Sequence, residues 1–443
     1  MGVLSRTPAP IDADRPAAAD LLRVLAAWAV GAFHIWQQSW YSGAAPAHWL
    51  RAGSVGVDWL VLLSAFCLFL PWANAAAQGR PLPLTRPAVF YRRRAVRLLP
   101  AYYASLLFSL VPALHRAGWS RTLGIDLAAH LTLTQQLFPQ SYLATRLNGV
   151  TWTLTVFALF YLVFPLLAPL CVRRPLPTLG ALCAVQLGYT LWALPQYGSD
   201  AYSSLFNQFP AFCGVLAVGL AAALMFARLA RGGWTQRLLP RAGCTVLGVL
   251  ALVWLNAHLR AQAYAAEFQR YQLVNRMPLA LAAAAMLVCF GLGLTLPRPV
   301  RRVLSWLAAL SYSFYLWHQM LAVFLKYDLH LPAWTGTTPP NQLGDSAWMQ
   351  RAHALYWTAA IAVTLAAYYG VEKPIAKRLH GKKGYGRALP ARRNFAAAAA
   401  FPGRRGRRPL RRRGGFHIRP GTLRWLPTAT GGQCPPLQAA HPR

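Results

Sequence analysis

The sequence predicts an all-α fold, a polytopic membrane helical bundle of about ten transmembrane helices with both termini in the cytoplasm. The first observation behind this prediction is composition, because 56% of the 443 residues are hydrophobic and only 12% are charged. The second is that apolar runs close to the roughly 20 residues needed to cross a bilayer recur almost to the end of the chain. The predicted spans are residues 19–41, 55–76, 98–112, 148–172, 176–197, 206–229, 239–257, 277–296, 302–326 and 352–372.

The third observation is where the basic residues lie. With the N-terminus inside, the loops predicted to face the cytoplasm contain fifteen arginines between Arg80 and Arg302 and no acidic residue. Cytoplasmic loops of membrane proteins carry such an excess. Because the basic residues segregate by membrane side and form no groove interleaved with aromatic residues, the net charge of +35 predicts contact with membrane lipids and no specific nucleic-acid partner.

Composition divides the chain into three parts. Residues 1–18 are rich in Pro and Ala and predict a disordered leader, whereas residues 19–375 predict one transmembrane domain. The basic tail, residues 376–443, is also predicted to be disordered; it could dock on anionic lipids or be a stretch under no structural selection. The seven cysteines have no CxxC or Cys/His spacing, so the sequence predicts neither a disulfide framework nor a metal site.

The first span contains Arg23 and His34, eleven positions apart in an apolar stretch. Eleven residues are close to three helical turns, which places both side chains on one face, about 16 Å apart along the axis. Ionisable groups inside a membrane are costly and usually line a cavity or pathway. The alternative is that Arg23 extends to the headgroups and His34 bonds a neighbouring helix.

The second span carries Asp58 near its outer end, at the depth inferred for His34. A carboxylate beside an imidazole fixes the tautomer of the ring and stabilises its protonated form. Asp58 is therefore predicted to act with His34 in catalysis. The alternative is that Asp58 caps its own helix.

The segment before the third span, FYRRRAVRLLPAYYASL at 90–106, places Arg94 and Arg97 on neighbouring positions of one helix face. Guanidinium groups bind phosphate bidentately, so a cluster at the cytoplasmic boundary suits a phosphorylated cytosolic donor. The alternative is that these residues only set the orientation of the chain in the membrane.

Two further ionisable residues and two long loops complete the candidate site. His318 in the ninth span is predicted at the depth of His34, and Glu372 at the end of the tenth could pair with a cytoplasmic arginine. The loops, residues 113–147 and 327–351, could act as a lid or an acceptor-binding surface, or could be ordinary solvated loops.

Seven motifs in order resemble the acyltransferase family 3 membrane proteins. They are R-x10-H at 23–34, GVDxxxxxSxF at 56–66, RxxRxxPxY at 94–102, WxLxVxxxFYLxxP at 152–165, FPAFCGVLA at 209–217, SYSxYLWH at 311–318 and VExP at 371–374. The resemblance covers about residues 20–375. It implies transfer of an acyl group, commonly acetyl, from cytoplasmic acyl-CoA to hydroxyl groups of cell-envelope glycans.

The resemblance also implies roles for single residues. His34 would be the catalytic histidine, acting either as a general base or as a carrier of the acyl group, with Arg23 in the same motif. Arg94 and Arg97 would hold the CoA phosphates. Further motif positions, with supporting roles at the substrate, are Ser64, Trp152, Tyr161, His318 and Glu372. No bound cofactor is expected, since acyl-CoA is the donor substrate, and the acceptor would be a glycan or a lipid-linked saccharide.

Two positions depart from the family pattern. Phe157 stands where the family usually has glutamate, and Ala65 replaces the glycine of a Ser-Gly-Phe segment. Either Asp58 or His318 could supply what the glutamate does, or the protein could be a catalytically impaired relative. The other alternative is a transporter of a saccharide or small molecule. A composition rich in Ala, Arg and Pro predicts a high-GC coding sequence and a bacterial inner membrane.

Overall fold

The computed structural model describes residues 11–43, 46–84, 86–198 and 204–378, and every regular element within those ranges is helical. Ten long helices correspond one to one to the ten predicted spans, which confirms the predicted all-α helical bundle. They are α1 (Ala17–Ser39), α2 (Gly56–Ala77), α3 (Pro87–Ala117), α4 (Trp152–Arg173), α5 (Pro175–Ala193), α6 (Cys213–Leu229), α7 (Leu238–Ala263), α8 (Phe268–Gly293), α9 (Arg298–Tyr327) and α10 (Ser346–Ala367). The cytoplasmic location of both termini stays a prediction. The basic tail beyond residue 378 and the first ten residues lie outside the described residues.

Nine of these helices, among the residues described, are long and apolar enough to cross a membrane, which indicates an integral membrane protein. The remaining long helix, α9, has 30 residues. Its middle carries hydroxyl and imidazole groups at Ser311, Tyr312, Ser313 and His318, which lower its mean hydropathy. Because these residues are buried or half-buried between other helices, α9 lies among its neighbours and does not expose its polar face.

One end of the bundle, here called the basic end, is where α1, α3 and α9 begin and α2 and α6 end. Its contacts join the chain before α1 to other helices: Asn74 Nδ2 donates to Asp14 at 3.0 Å, and Arg231 Nη1 donates to Asn74 Oδ1 at 2.9 Å. Over residues 11–18 of the predicted leader, the acidic side chains contact the basic end, and the first helix begins at Ala17. Disorder of the leader stays a prediction.

The third helix is longer than the 98–112 span predicted from hydropathy. It begins with Pro87 at its first turn, where the missing N–H costs no hydrogen bond. It ends before Gly118, which has φ +63°, a conformation that favours glycine. The arginines at 92–97 thus belong to the helix itself, because a helix can continue out of an apolar layer on charged residues.

Helices α1 and α9 approach closely at Gly31. A Cβ atom at this position would lie 2.3 Å from Cε1 of Phe314. The Phe314 ring cannot easily give way, because it stacks against both Trp28 and Trp357, at ring-centroid distances of 4.8 and 5.9 Å, and these two rings also stack on each other. His34 lies one turn after Gly31, so this contact sets how near His34 comes to α9.

Replacing Gly31 by alanine is therefore expected to separate α1 from α9 and to lower any activity that depends on His34. Overpacking of a buried site costs about 1–3 kcal/mol. The measurement is the thermal unfolding midpoint together with turnover in purified protein. Gly180→Ala is the matched control, since no atom lies within 4 Å of its added Cβ. Equal behaviour of the two variants would contradict the close approach.

Both long loops are hydrogen-bonded to the rest of the domain. Residues 118–147 contain short helices at Arg121–Leu131 and Pro139–Tyr142, and Tyr102 Oη donates to the carbonyl of His130 at 2.7 Å. In the second loop, Asn341 Nδ2 donates to the carbonyl of Gln38 at 3.2 Å, and the carbonyl of Pro332 accepts from Trp348 Nε1 at 3.0 Å. Whether either segment acts as a lid stays a prediction.

Candidate active site

A cavity of about 260 Å³ lies between α1, α2, α3, α4, α9 and the π-helical turn Tyr368–Glu372. Six of the ten site residues predicted from sequence line it, namely Arg23, Ser64, Arg94, Arg97, Tyr161 and Glu372. Residues that are far apart in the chain therefore meet around one space. Apolar and hydroxyl side chains of α2, α4 and α9 form the rest of its wall.

The arginines occupy the part of the cavity nearest the basic end. Arg94 lies over the ring of Phe90, with 5.6 Å between its Cζ and the ring centroid, and its buried Nε has no hydrogen-bond partner among the described residues. Arg23 donates to Cys67 Sγ at 3.4 Å and lies 3.7 Å from a carboxylate oxygen of Asp20. A guanidinium whose buried Nε has unused donor capacity favours an anionic ligand.

A carboxylate faces the same cavity. Glu372 accepts a hydrogen bond of 2.7 Å from Ser313 Oγ, and it comes from the π turn that follows α10. Phe157 lines the same space and stacks on Tyr161, with ring centroids 6.3 Å apart. The acidic group of this cavity is thus contributed by the turn that follows α10. Phe157, at the position where the resemblance leads one to expect glutamate, forms an aromatic part of the cavity wall.

His34 and His318 form a hydrogen-bonded pair between α1 and α9. His34 Nδ1 lies 2.9 Å from His318 Nε2, and the two rings are stacked with centroids 5.1 Å apart. His318 is completely buried, and its Nδ1 lies 3.0 Å from the carbonyl oxygen of Phe314. His34 is half-buried. One imidazole is therefore fixed inside the protein, and the other keeps an accessible edge.

Tyr315 connects the histidine pair to the cavity. Its ring lines the cavity and lies 5.8 Å from the His318 ring, measured between centroids. Its hydroxyl donates to the carbonyl of Val150 at 3.0 Å and accepts from Thr153 Oγ1 at 3.0 Å. Because Arg23 precedes His34 by three turns on one helix, the arginine part and the histidine pair lie at opposite ends of this arrangement.

The expected contact between Asp58 and His34 is corrected by the structure. Asp58 is buried and forms an ion pair with Arg276 of α8, with 2.9 Å between Oδ1 and Nε. Gln272 Nε2 also donates to its other oxygen at 3.4 Å. The residue that contacts His34 is His318. Inferred depth in the membrane does not give the direction in which a side chain points, and Asp58 points towards α8.

Trp152, the remaining predicted site residue, does not line the cavity. Its ring contacts those of Tyr142 and Phe212, at centroid distances of 6.0 and 6.1 Å. This packing attaches the start of α4 to the loop before it and to the segment preceding α6. Its role in substrate binding stays a prediction.

Several side chains that shape the site were missed by sequence reasoning. Tyr315 and Ser313 lie inside the SYSxYLWH motif, so their positions between Tyr312 and His318 could have marked them. Arg276 carried no such signal, because a single arginine in α8 resembles the many arginines near the ends of other spans. A second cavity of about 190 Å³ shares Arg94 and Tyr161 with the first and is lined mainly by apolar residues of α3 and α4.

Comparison with known proteins agrees with the motif pattern. Residues 17–371 match the profile of acyltransferase family 3, which is described as an acyltransferase domain. The chain is 30% identical over 186 residues to acyltransferase MdmB of Streptomyces mycarofaciens, an alignment that covers 39% of this chain and 44% of that relative. The matched part is thus less than half of the relative's length. No solved structure matches this chain.

Proposed function

Because this chain belongs to acyltransferase family 3, we propose that it transfers an acyl group, acetyl in the simplest case, from acyl-CoA to a hydroxyl group of a cell-envelope glycan or a lipid-linked saccharide. The observation that carries the proposal is the arrangement of the cavity, which has arginines at one end and an accessible histidine next to the other. The donor is a substrate, and the reaction needs no bound cofactor.

In this proposal the arginine part of the cavity holds the phosphate groups of CoA. Arg94 and Arg97 lie on one helix face with Arg23 opposite, all lining one space. Planar guanidinium groups bind phosphate oxygens through two parallel hydrogen bonds. With the phosphates held there, the flexible arm of the donor extends along the cavity and brings the thioester to the histidine pair.

At the histidine pair, His34 acts as a general base in the proposed reaction. It takes the proton of the acceptor hydroxyl while the hydroxyl oxygen forms a bond to the thioester carbonyl carbon. The carbon–sulfur bond then breaks, the proton passes to the CoA sulfur, and an ester and free CoA are formed. Such a base must come within about 3 Å of the proton it removes.

The membrane arrangement of the proposal follows the distribution of charge. The basic end, with its arginine-rich loops, faces the cytoplasm where acyl-CoA is present, in a bacterial inner membrane. The acceptor reaches the half-buried His34 from the opposite side. The acyl group, and not the whole donor, then crosses the membrane.

Phe157 is compatible with activity in this proposal. Glu372 already places a carboxylate in the same cavity, so the acidic group is supplied by another helix. We expect Phe157→Ala to retain measurable transfer, whereas Glu372→Gln should reduce it about tenfold or more, because the loss of a charged hydrogen-bond acceptor costs about 1.5–3 kcal/mol. The measurement is the rate of acetyl transfer from labelled acetyl-CoA by each variant. A loss of transfer in Phe157→Ala but not in Glu372→Gln would contradict the assignment of the acidic role to Glu372.

The proposed function is tested by acyl transfer from radiolabelled acetyl-CoA to envelope polysaccharide in membranes that contain the protein. Labelling above that of membranes without the protein is the expected result. Short- and medium-chain acyl-CoA donors and purified lipid-linked saccharides are tested in parallel, so that a wrong donor or acceptor is recognised. No labelling with any donor and acceptor pair would overturn the proposal.

A sharper prediction concerns the donor phosphates. Arg97→Ala and Arg94→Ala should each raise the KM for acetyl-CoA about 10-fold to 100-fold, because a hydrogen bond to a charged group is worth about 1.5–3 kcal/mol. The KM for S-acetylpantetheine, which lacks the nucleotide phosphates, should not change. Arg92→Ala is the matched control, since Arg92 is exposed on the same helix and does not line the cavity. Equal changes with both donors would contradict phosphate binding.

A further inference from the structure

We propose that His318 is a positioning residue that fixes His34 in one neutral tautomer, with the proton on Nδ1, so that His34 Nε2 is the atom that takes the proton of the acceptor. The tautomer assignment rests on the hydrogen-bond geometry alone. The catalytic use of Nε2 rests on the proposed function.

The argument starts from the backbone of α9. The Phe314 carbonyl oxygen lies 3.0 Å from His318 Nδ1, and a carbonyl oxygen can only accept a hydrogen bond. The proton of His318 is therefore on Nδ1. His318 is completely buried, and no acidic side chain contacts it among the described residues, so the neutral form is the one this site accommodates. In a neutral imidazole that is protonated on Nδ1, Nε2 carries a lone pair and accepts.

The second step concerns the contact between the two rings. His318 Nε2 lies 2.9 Å from His34 Nδ1. Since the nitrogen of His318 accepts, the nitrogen of His34 must donate, because two lone pairs would otherwise face each other at that distance. His34 is thus protonated on Nδ1, and its Nε2 carries the free lone pair. This is the nitrogen farther from α9 along the ring.

The third step is the rigidity of the His318 ring, which accepts the hydrogen bond from His34. The His318 ring stacks on that of Phe314 at a centroid distance of 5.5 Å, and Phe314 itself packs against the mutually stacked rings of Trp28 and Trp357. Rotation of His318 about its side-chain bonds would break the Phe314 hydrogen bond and these ring contacts together. The ring is therefore held as a fixed acceptor, which is the usual requirement for orienting a catalytic base.

The arrangement differs from a histidine oriented by a carboxylate. When His34 gains a proton on Nε2, its positive charge is next to a neutral imidazole, and His318 cannot pass a proton onward because its Nδ1 hydrogen already faces a carbonyl oxygen. No proton relay beyond His318 is possible. The proton on His34 Nε2 can leave only towards the reacting groups, where the CoA sulfur takes it as the carbon–sulfur bond breaks.

The tautomer is tested by nitrogen NMR on the whole protein, labelled with ¹⁵N-histidine and reconstituted in lipid bilayers. Protonated and unprotonated imidazole nitrogens resonate far apart, and the His34 signals are identified by their loss in His34→Ala. The expected result is a protonated Nδ1 and an unprotonated Nε2. A protonated Nε2 with an unprotonated Nδ1 would overturn the inference, and this measurement needs no activity.

Two variants test the positioning role. His318→Leu removes the acceptor, so we expect His34 to populate both tautomers and kcat to fall about 10²-fold or more, with the KM for acetyl-CoA unchanged. His318→Gln places an amide oxygen near the position of Nε2 and should restore part of kcat and the Nδ1 proton. His258→Leu, at a half-buried histidine of α7 that does not line the cavity, is the control. Equal kcat in both His318 variants, or an unchanged tautomer in His318→Leu, would contradict the positioning role.

The results for this inference and for the proposed function are distinguishable. The expected tautomer without acyl transfer would leave the assignment standing and remove the role of His34 as a base. Acyl transfer with the opposite tautomer would keep the proposed function and overturn the inference. If both His318 variants fail to fold, the tautomer of the unmodified protein still decides the assignment.

Discussion

Replacing His34 by alanine is expected to lower the rate of acyl transfer by about 10²–10⁴-fold, which is the usual contribution of a general base. The KM for the donor should stay within about twofold, because His34 does not line the arginine-containing cavity and the phosphate contacts remain. The measurement is steady-state transfer of labelled acetyl groups by purified wild type and variant.

The control for this substitution is His258→Ala, since the half-buried His258 does not line the cavity and its hydrogen bond and its ring contact are both with Trp254 of its own helix. It should transfer acyl groups at the rate of the wild type. A His34→Ala protein that folds normally and retains more than about a tenth of the activity would be inconsistent with base catalysis.

The second large effect concerns stability. Asp58→Ala is expected to lower the free energy of unfolding by about 3–5 kcal/mol, because it leaves the charge of Arg276 buried without its carboxylate partner. Both side chains are completely enclosed, with 0% of Arg276 and 1% of Asp58 exposed, and the guanidinium also donates to the carbonyl of Phe206. The measurement is equilibrium unfolding in mild detergent, with thermal melting as a second readout.

The matched control is Asp12→Ala, which removes an ion pair with Arg301 whose side chains are 41% and 38% exposed. Exposed pairs contribute about 0–1 kcal/mol, so this variant should unfold nearly like the wild type. The double variant Asp58→Leu with Arg276→Met removes both buried charges and should recover much of the stability lost in Asp58→Ala. Equal stability of Asp58→Ala and Asp12→Ala would show that the buried pair contributes little.

Hydropathy predicted the ten helices because the apolar lengths that cross a bilayer are read directly from the chain. It failed on the ends of α3, since charged residues continue a helix beyond the apolar layer. The ends of α3 depend on the residues that start and stop a helix, and the signals in the sequence were Pro87 at its beginning and Gly118 after its end. The ninth predicted span, α9, is less apolar than the other nine helices and is not among those apolar enough to cross a membrane. Its polar side chains face the interior of the bundle.

Periodicity along one helix could predict the relation between two residues of the candidate site. The spacing of Arg23 and His34 placed both on one face, and the structure puts the first in the cavity wall and the second beside His318. Periodicity along one helix could not predict which side chains of different helices contact each other. Asp58 and His318 were both predicted at the depth of His34, and only their directions around the helix axes, which depend on packing at contacts such as Gly31 with Phe314, decide which one reaches it.

The position of the cavity carboxylate illustrates the same limit. Phe157 interrupts the family pattern in α4, and sequence reasoning looked to Asp58 or His318 for a replacement. The structure places Glu372 in that cavity through a π-helical turn after α10. A helix irregularity of one turn changes the direction of a side chain without leaving a clear mark in the sequence.

The central claim is that this protein moves an acyl group from donor to saccharide and does not move the saccharide itself. Purified protein in proteoliposomes, supplied with ¹⁴C-acetyl-CoA outside and ³H-labelled lipid-linked saccharide in the membrane, tests it most directly. The account predicts that ¹⁴C appears on the saccharide, that one free CoA thiol is released for each acetyl group transferred, and that His34→Ala does neither. Movement of ³H-saccharide across the bilayer without consumption of acetyl-CoA, unaffected by His34→Ala, would contradict it.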